Sequence, residues 1–594
     1  MNTAEPAFHQ AEPFTFTTSD HEPLFARHWP AISPGPVRKA IILIHRGHEH
    51  SGRLQHIVDE LGRDDTDFFA WDARGHGRSL GPRGYSPSIG RSVQDVDEFV
   101  RHVTTTHDIA LDNVVVIAQS VGAVLAATWA HDYAPKIKGL VLAAPAFKVK
   151  LYVPLARPGI ALWQKLKGVF YVNSYVKAKF LTHDPLRIDS FNQDPLISRP
   201  IASNILLDLY RTSARIVTDA AAITLPTQLL IAGEDMVVHT GPQKTFFSRL
   251  RHPLKEQHVL GGFYHDVLGE QDRALAFAKI NAFMDALTQD PLAAPFDYGH
   301  EDRWSPCADT YRELLAPLPT YSAKGLYYRV FQAGVRTFCQ SSRGMQIGLD
   351  TGFDSGSTLD YVYQNQPQGK HALGRLIDKN YLNSPGWTGI RQRKVHLELM
   401  IKQVIDALAA DDKPIRLVDI AAGHGRYVLD AIERDERVES ILLRDYSELN
   451  VAEGGKMIAQ RQLQDKAQFV LGNAFDQADL AGITPKPTLA IVSGLYELFS
   501  DNALLQASLA GLFSAVEAGG YLIYTNQPWH PQQELIARGL TSHRQGQAWV
   551  MRVRSQGEMD DLVAKAGFEK QLQLIDPWGI FSVSIAKRPA AASA

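Results

Sequence analysis

Three residues in a fixed order carry the means for nucleophilic catalysis. Ser120 lies in VVVIAQSVGAV (114–124), where four β-branched residues and an alanine run straight into Gln-Ser-Val-Gly. A buried strand ending on a serine between small residues, with helix-like AVLAATWAH behind it, marks a tight strand–turn–helix bend that lifts the hydroxyl above a sheet. A serine hydroxyl is a weak nucleophile and needs a positioned base, itself oriented by an acid. In that architecture the chain order is serine, acid, histidine. Asp235 follows the apolar run in LLIAGEDMVV (229–238), and His265 follows a further strand in LGGFYHDVLGE (260–270). Glu234 is a rival acid, but Asp235 has the better offset from Gly233. Oxyanion stabilisation needs backbone N–H donors. One should come from Val121, next to the nucleophile, and the other from the loop HRGHEHSGR (45–53) after the strand AIILI.

A second group of residues could hold a nucleoside cofactor. LVDIAAGHGRYVLDAI (417–432) reads as strand, small-residue loop and helix. Glycines let backbone approach a ligand closely, and the helix N-terminus favours its polar groups. Asp445, closing ILLRDYS, stands at the ~20-residue offset of a ribose-binding acid. Two cofactors compete. A dinucleotide would seat its pyrophosphate on the loop. Asp419, just before the loop, would repel phosphates but attract an ammonium or a sulfonium. GNAFD (472–476), after the third strand, is placed to read an adenine edge.

These groups require two α/β regions to position them. In the first, FTFTT and LFARHW read as a hairpin, and AIILIH, DFFAWD, VVVIA, GLVLA, QLLIA and EQHVL as strands. The long gap 145–225 between two strands reads as an inserted cap. Proline-rich residues 288–320 read as a linker. The second region opens with helix-like sequence and then alternates strands and helices from about 410 to 588. Domains are therefore expected at 12–287 and 321–588.

Bulk properties exclude several classes. The 594 residues are 45% hydrophobic and 21% charged with net charge −3, ordinary for a soluble globular protein and without the basic excess of a nucleic-acid binder. Two cysteines, Cys307 and Cys339, make a disulfide framework unlike this chain and fit a reducing compartment. The first residues lack the charged and apolar segments of a signal peptide, and no apolar run approaches the ~18 residues that span a bilayer. The expected location is cytoplasmic, and no metal site is expected.

The loop at 45–53, the turn WDARGHGRSLGPRGY (71–85), the serine bend and the histidine segment fall in order. Together they resemble the monoacylglycerol lipase and lysophospholipase group of serine α/β-hydrolases over about 12–287. The resemblance implies a lipid-like ester substrate and gives Gly47 the second oxyanion role. Arg46 and His48 stand where that group usually has glycines. Either could narrow the acyl pocket or place a charge near the oxyanion. The cap run 151–180 alternates apolar residues with lysines. It could line an acyl tunnel, rest on anionic lipid at the inner membrane surface, or pack as an amphipathic helix on the core.

The second region resembles a class I S-adenosylmethionine-dependent methyltransferase of Rossmann-like fold. By position, the resemblance gives Asp419, Ala421, Gly423 and Gly425 the cofactor loop, Asp445 the ribose hydroxyls, and Asn473 with Ala474 the adenine. SGLYE (493–497) marks the acceptor side. Gln527, His530, Arg552 and Arg554 are further candidates there, the arginine pair suiting a phosphate or carboxylate. NYLNSPGWTGIRQRK (380–394) could fold over the cofactor. The whole chain resembles bacterial fusions of the two enzymes. The alternative is a methyltransferase carrying a catalytically silent, lipid-binding hydrolase fold.

Overall fold

The computed structural model describes residues 9–590 apart from 154, 175, 434 and 545, so two positions of the cap run lie outside the described residues. The chain divides into two compact units, 1–297 and 298–594. Residues 288–320, read above as a linker, contain a helix, Pro306–Leu315, started by Ser305 as its N-cap.

Among the described residues, the first unit holds the strands β1 (Glu12–Thr17), β2 (Pro23–Trp29), β3 (Ala40–Ile44), β4 (Asp67–Trp71), β5 (Val114–Gln119), β6 (Gly139–Ala143), β7 (Tyr171–Asn173), β8 (Pro200–Ala202), β9 (Thr227–Ala232) and β10 (Lys255–Leu260). Eight form one sheet in the order β1-β2-β4-β3-β5-β6-β9-β10. The β1–β2 and β2–β4 pairings are antiparallel and the rest parallel. β3 to β6 are covered on both faces, which explains their unbroken apolar runs. β7 and β8 pair separately within the cap. This is the α/β-hydrolase order with an insertion after β6.

The cap contains the helix Ala156–Lys167, which has no buried residue. Leu155, Leu162, Trp163 and Leu166 are 53–81% exposed. Ala156, Ile160 and Gln164 form a half-buried face, while Leu162, Trp163 and Leu166 stay exposed, so of the three readings packing on the core holds for that narrow face alone.

The second unit holds β11 (Ile415–Asp419), β12 (Val438–Asp445), β13 (Ala467–Leu471), β14 (Leu489–Val492), β15 (Tyr521–Asn526), β16 (Glu569–Ile575) and β17 (Ser582–Lys587), in the order β13-β12-β11-β14-β15-β17-β16. β17 runs antiparallel to both neighbours. This is a Rossmann-like methyltransferase sheet. A helical lead precedes it and ends in the 26-residue helix Pro385–Ala410, about 39 Å long. That helix buries Leu397, Ile401, Val404 and Leu408 at the 3–4 residue spacing of one face.

Candidate active sites

Ser120 occupies the bend between β5 and the helix Val121–Tyr133, at φ 56° and ψ −117°. That left-handed backbone costs on the order of 1–3 kcal/mol and persists only where its surroundings enforce it. Gly122 is one such constraint. A Cβ there would lie 2.4 Å from the carbonyl oxygen of His45, so only glycine lets the helix pass the oxyanion loop.

The loops after β9 and β10 bring the other two residues to Ser120. His265 Nε2 lies 2.7 Å from Ser120 Oγ, and its Nδ1 lies 2.7 Å from Asp235 Oδ2. The other oxygen of Asp235 accepts the N–H groups of Val237 and Val238 at 2.7 and 2.9 Å. Burial pushes the Asp235 carboxyl up, but His265 and these N–H groups outweigh it and hold the group below its ordinary value. Asp235 is thus a fixed anion that orients the imidazole, leaving Nε2 to the serine. Glu234, the rival acid, is exposed.

Gly47 sits beside Val121, since a Cβ on it would stand 3.3 Å from the Val121 side chain. Among the described residues, neither backbone N–H is bonded to another group of the chain. The turn at 72–79 fixes this loop. Asp72 accepts the N–H of Ser51 at 2.6 Å and that of Arg78 at 2.7 Å, and His45 Nε2 accepts the N–H of Ala73 at 3.0 Å.

The two departures from the resembling family are each engaged by other groups of the chain. The buried Arg46 guanidinium pairs with Glu49 at 2.7 Å and lies 3.8 Å from Asp266. Asp266 in turn meets Arg187 and accepts from Gln119 at 2.9 Å. Burial pushes Asp266 up, but Arg187 and Arg46 hold it well below the carboxylate range. Arg46 is therefore neutralised inside a buried ion network. His48 hydrogen-bonds through Nδ1 to the carbonyl of Ser198 in the cap at 2.5 Å, which ties the loop to the cap. Sequence reasoning missed Glu49, Arg187 and Asp266, although Asp266 adjoins His265.

In the second unit, the loop after β11 opens on a cavity of about 890 Å³. Ala421, Gly423, Gly425, Asp445, Asn473 and Ala474 all line it. Gly423 and Gly425 have φ of 59° and 74°, where glycine is required. Ala421 has no positive φ, so alanine fits in place of the first glycine.

Asp419 is a correction. It is 1% exposed, does not line the cavity, and accepts the Tyr427 hydroxyl and the N–H of Ala421. Burial pushes its carboxyl up to about 7. Its hydrogen bonds to Tyr427 and Ala421 brace the loop.

Asp445 accepts from the N–H groups of Gly423 and Ser447, both at 3.0 Å, and from the Asn450 amide at 3.1 Å. A carboxylate offers about four acceptor positions, so room is left for one hydroxyl. Asn473 spends its carbonyl oxygen on the N–H of Phe475 at 3.0 Å, leaving its amide N–H groups for a base edge.

The arginine pair also differs from expectation. Arg552 and Arg554 are 0% and 1% exposed and bind Glu558, Asn502 and backbone carbonyls, so neither is offered to an acceptor. The opposite wall of the cavity comes from the helix Gly356–Gln364. Nothing in its sequence had marked it, although a Cβ on Gly423 would touch Gly356.

Residues 280–588 match the family model described as "Putative methyltransferase". The chain belongs to that family. Its N-terminal part, residues 35–272, matches the serine aminopeptidase S33 hydrolase model. The uncharacterized protein YnbC of Escherichia coli K12 is 63% identical over 96% of this chain and 98% of its own length. A monoacylglycerol lipase of Mycolicibacterium smegmatis is 24% identical over 42% of this chain and 88% of that one. The crystal structure of a Paleococcus ferrophilus monoacylglycerol lipase aligns over 47% of this chain and all of its own, at TM-score 0.40 and 19% identity. A hydrolase domain and a methyltransferase domain are thus joined in one chain.

Proposed function

We propose that the chain is a bifunctional enzyme, with a serine hydrolase of lipid-like carboxylic esters fused to an S-adenosylmethionine-dependent methyltransferase. The observation that carries the first half is the unbroken path from Ser120 Oγ through His265 to Asp235, 2.7 Å at each step. Ser120 attacks the ester carbon and gives its proton to His265 Nε2. The N–H groups of Val121 and Gly47 hold the oxyanion. His265 returns the proton to the leaving alcohol, and water releases the acyl group from Ser120 by the same route. The exposed apolar helix Ala156–Lys167, edged by Lys165 and Lys167, supports a lipid-like substrate and peripheral contact with an anionic membrane surface. Among the described residues no helix is long and apolar enough to cross a membrane.

The loop geometry supports S-adenosylmethionine over a dinucleotide. The N–H groups of Ala421 and Gly423 are taken by Asp419 and Asp445, and a pyrophosphate would need such groups. Ala421, Gly423 and Gly425 would cradle the cofactor, Asp445 would bind one ribose hydroxyl, and Asn473 with Ala474 would face the adenine. When bound, the cofactor supplies an electrophilic methyl group on a sulfonium.

Calorimetric titration of the full chain with S-adenosylmethionine tests the second half, where no binding would overturn it, and incubation with a monoacylglycerol tests the first. Free fatty acid is expected from wild type and not from Ser120→Ala. Release equal to buffer would leave the hydrolase fold as a silent module.

A further inference from the structure

Beside the cofactor cavity the second unit holds a smaller one of about 170 Å³. The two share Asp354, Leu359, Arg393, Gly494 and Leu498 in their linings, so they adjoin. An apolar cavity of about 150 Å³ accepts one benzene ring, so this space suits one ring and is too small for a long acyl chain. Aliphatic residues such as Ile390 and Met551 share the lining with the rings of Trp387, Trp549 and Phe581. Trp387 and Trp549 stand 5.9 Å apart with planes 24° from parallel, and the Arg393 guanidinium lies 5.0 Å over Phe581. Such faces favour a flat π system.

The polar groups of the lining are unusual for so buried a place. Gln527 is 1% exposed and Arg393 2%, yet Gln527 Nε2, Arg393 Nε and Trp549 Nε1 have no hydrogen-bond partner. Each such group carries a desolvation cost that a ligand could relieve. His530 accepts the N–H of Gln532 on Nδ1 at 3.1 Å, and burial pushes the ring down to about 3. The imidazole is therefore neutral with its proton on Nε2, which lies close to Gly386 in the lining. Against these donors stands the unpartnered acceptor Glu497 Oε2, whose other oxygen is 3.5 Å from Arg393. The balance calls for an occupant rich in acceptor oxygens with one acidic hydrogen.

We propose that this cavity is the methyl-acceptor subsite and takes a single aromatic ring bearing a hydroxyl and a further carbonyl-type oxygen. The proposal rests on reading the adjoining cavity as the S-adenosylmethionine site. In the transfer, the hydroxyl proton passes to Glu497 and the hydroxyl oxygen forms the new bond to the methyl carbon. The C–S bonding pair stays on sulfur, which leaves as a thioether.

Calorimetric titration of the full chain with S-adenosylhomocysteine, then with 4-hydroxybenzaldehyde or 1-hexanol, tests this. The aldehyde is expected to bind wild type and the hexanol not. Gln527→Ala should weaken aldehyde binding about tenfold, the effect of one lost hydrogen bond. Ile390→Trp, which fills the cavity, should abolish it. Both variants should keep their affinity for S-adenosylhomocysteine. Failure of the aldehyde to bind a chain that takes S-adenosylhomocysteine would overturn the proposal, as would equal binding of hexanol. Aldehyde binding without S-adenosylhomocysteine binding would uphold the ring site and sink the cofactor reading instead.

Discussion

The Ser120 edge of the first sheet and the glycine loop of the second occupy the same place in their folds, beyond the carboxyl ends of parallel strands. They are built on opposite plans. At Ser120 the reacting atoms belong to the protein, and the chain has assembled them within hydrogen-bonding distance before any ligand arrives. At the glycine loop the conspicuous carboxylates are spent on the chain itself: Asp419 on Tyr427 and Ala421, Asp445 on Gly423, Ser447 and Asn450. What remains there is one acceptor position of Asp445, the Asn473 amide and shape, in two adjoining cavities. The contrast follows from where the chemistry resides. A hydrolase must activate its own hydroxyl, whereas a methyltransferase borrows its electrophile and needs chiefly to hold two ligands in line.

Four substitutions probe that contrast. Ser120→Ala should lower ester hydrolysis by at least about 10⁴-fold while methyl transfer persists, read by separate assays on one preparation. Coupled loss of both would mean the sites are not built independently.

Asp419→Asn addresses the bracing role. The folded state raises this carboxyl from 3.8 to about 7, so its stabilising contribution is full below pH ~4 and is lost as pH rises through 7. Asparagine has no such loss. Relative to wild type it should therefore gain up to about 4 kcal/mol between pH 4 and pH 8 in denaturant titrations. An unchanged difference would show that Asp419 is ionised and ligand-facing after all.

Arg46→Gly restores the glycine usual in the resembling hydrolases, yet should destabilise the first unit by about 3 kcal/mol, because it strips Glu49 and Asp266 of a buried partner. A neutral effect in urea unfolding would remove Arg46 from the ion network. The smallest effect is at Asp445→Asn, expected to weaken S-adenosylhomocysteine about tenfold by calorimetry, since one acceptor position is at stake.

Much of this could be read from the residues. The strands announce themselves as short apolar runs because parallel strands are covered on both faces. The serine bend and the acid each follow such a run and the histidine follows the more polar edge strand β10, so their convergence at one sheet edge is legible without coordinates. What was not legible depends on partners remote in sequence. Arg46 looked like a charge aimed at the oxyanion although Glu49, its nearest partner, stands three residues on; Asp266, over two hundred residues away, cannot be paired with it by inspection. Arg552 and Arg554 looked like an anion site because nothing in their stretch reveals that Asn502, the carbonyl of Tyr496 and the carbonyl of Glu301 close around them. Asp419 is the exception. Tyr427 lies in the same strand–loop–helix run, and a tyrosine on the first turn of the following helix was a signal within reach. The wall formed by Gly356–Gln364 was hidden for another reason, since a helical lead shows which residues are apolar but not which strand ends it covers.

The central claim is most directly tested by intact-mass spectrometry of the full chain after exposure to a fluorophosphonate, with peptide mapping of the adduct. The account predicts one stoichiometric adduct on Ser120, absent from Ser120→Ala and strongly slowed in Asp235→Asn. An unlabelled wild type, or a label that persists when Ser120 is replaced, would contradict it.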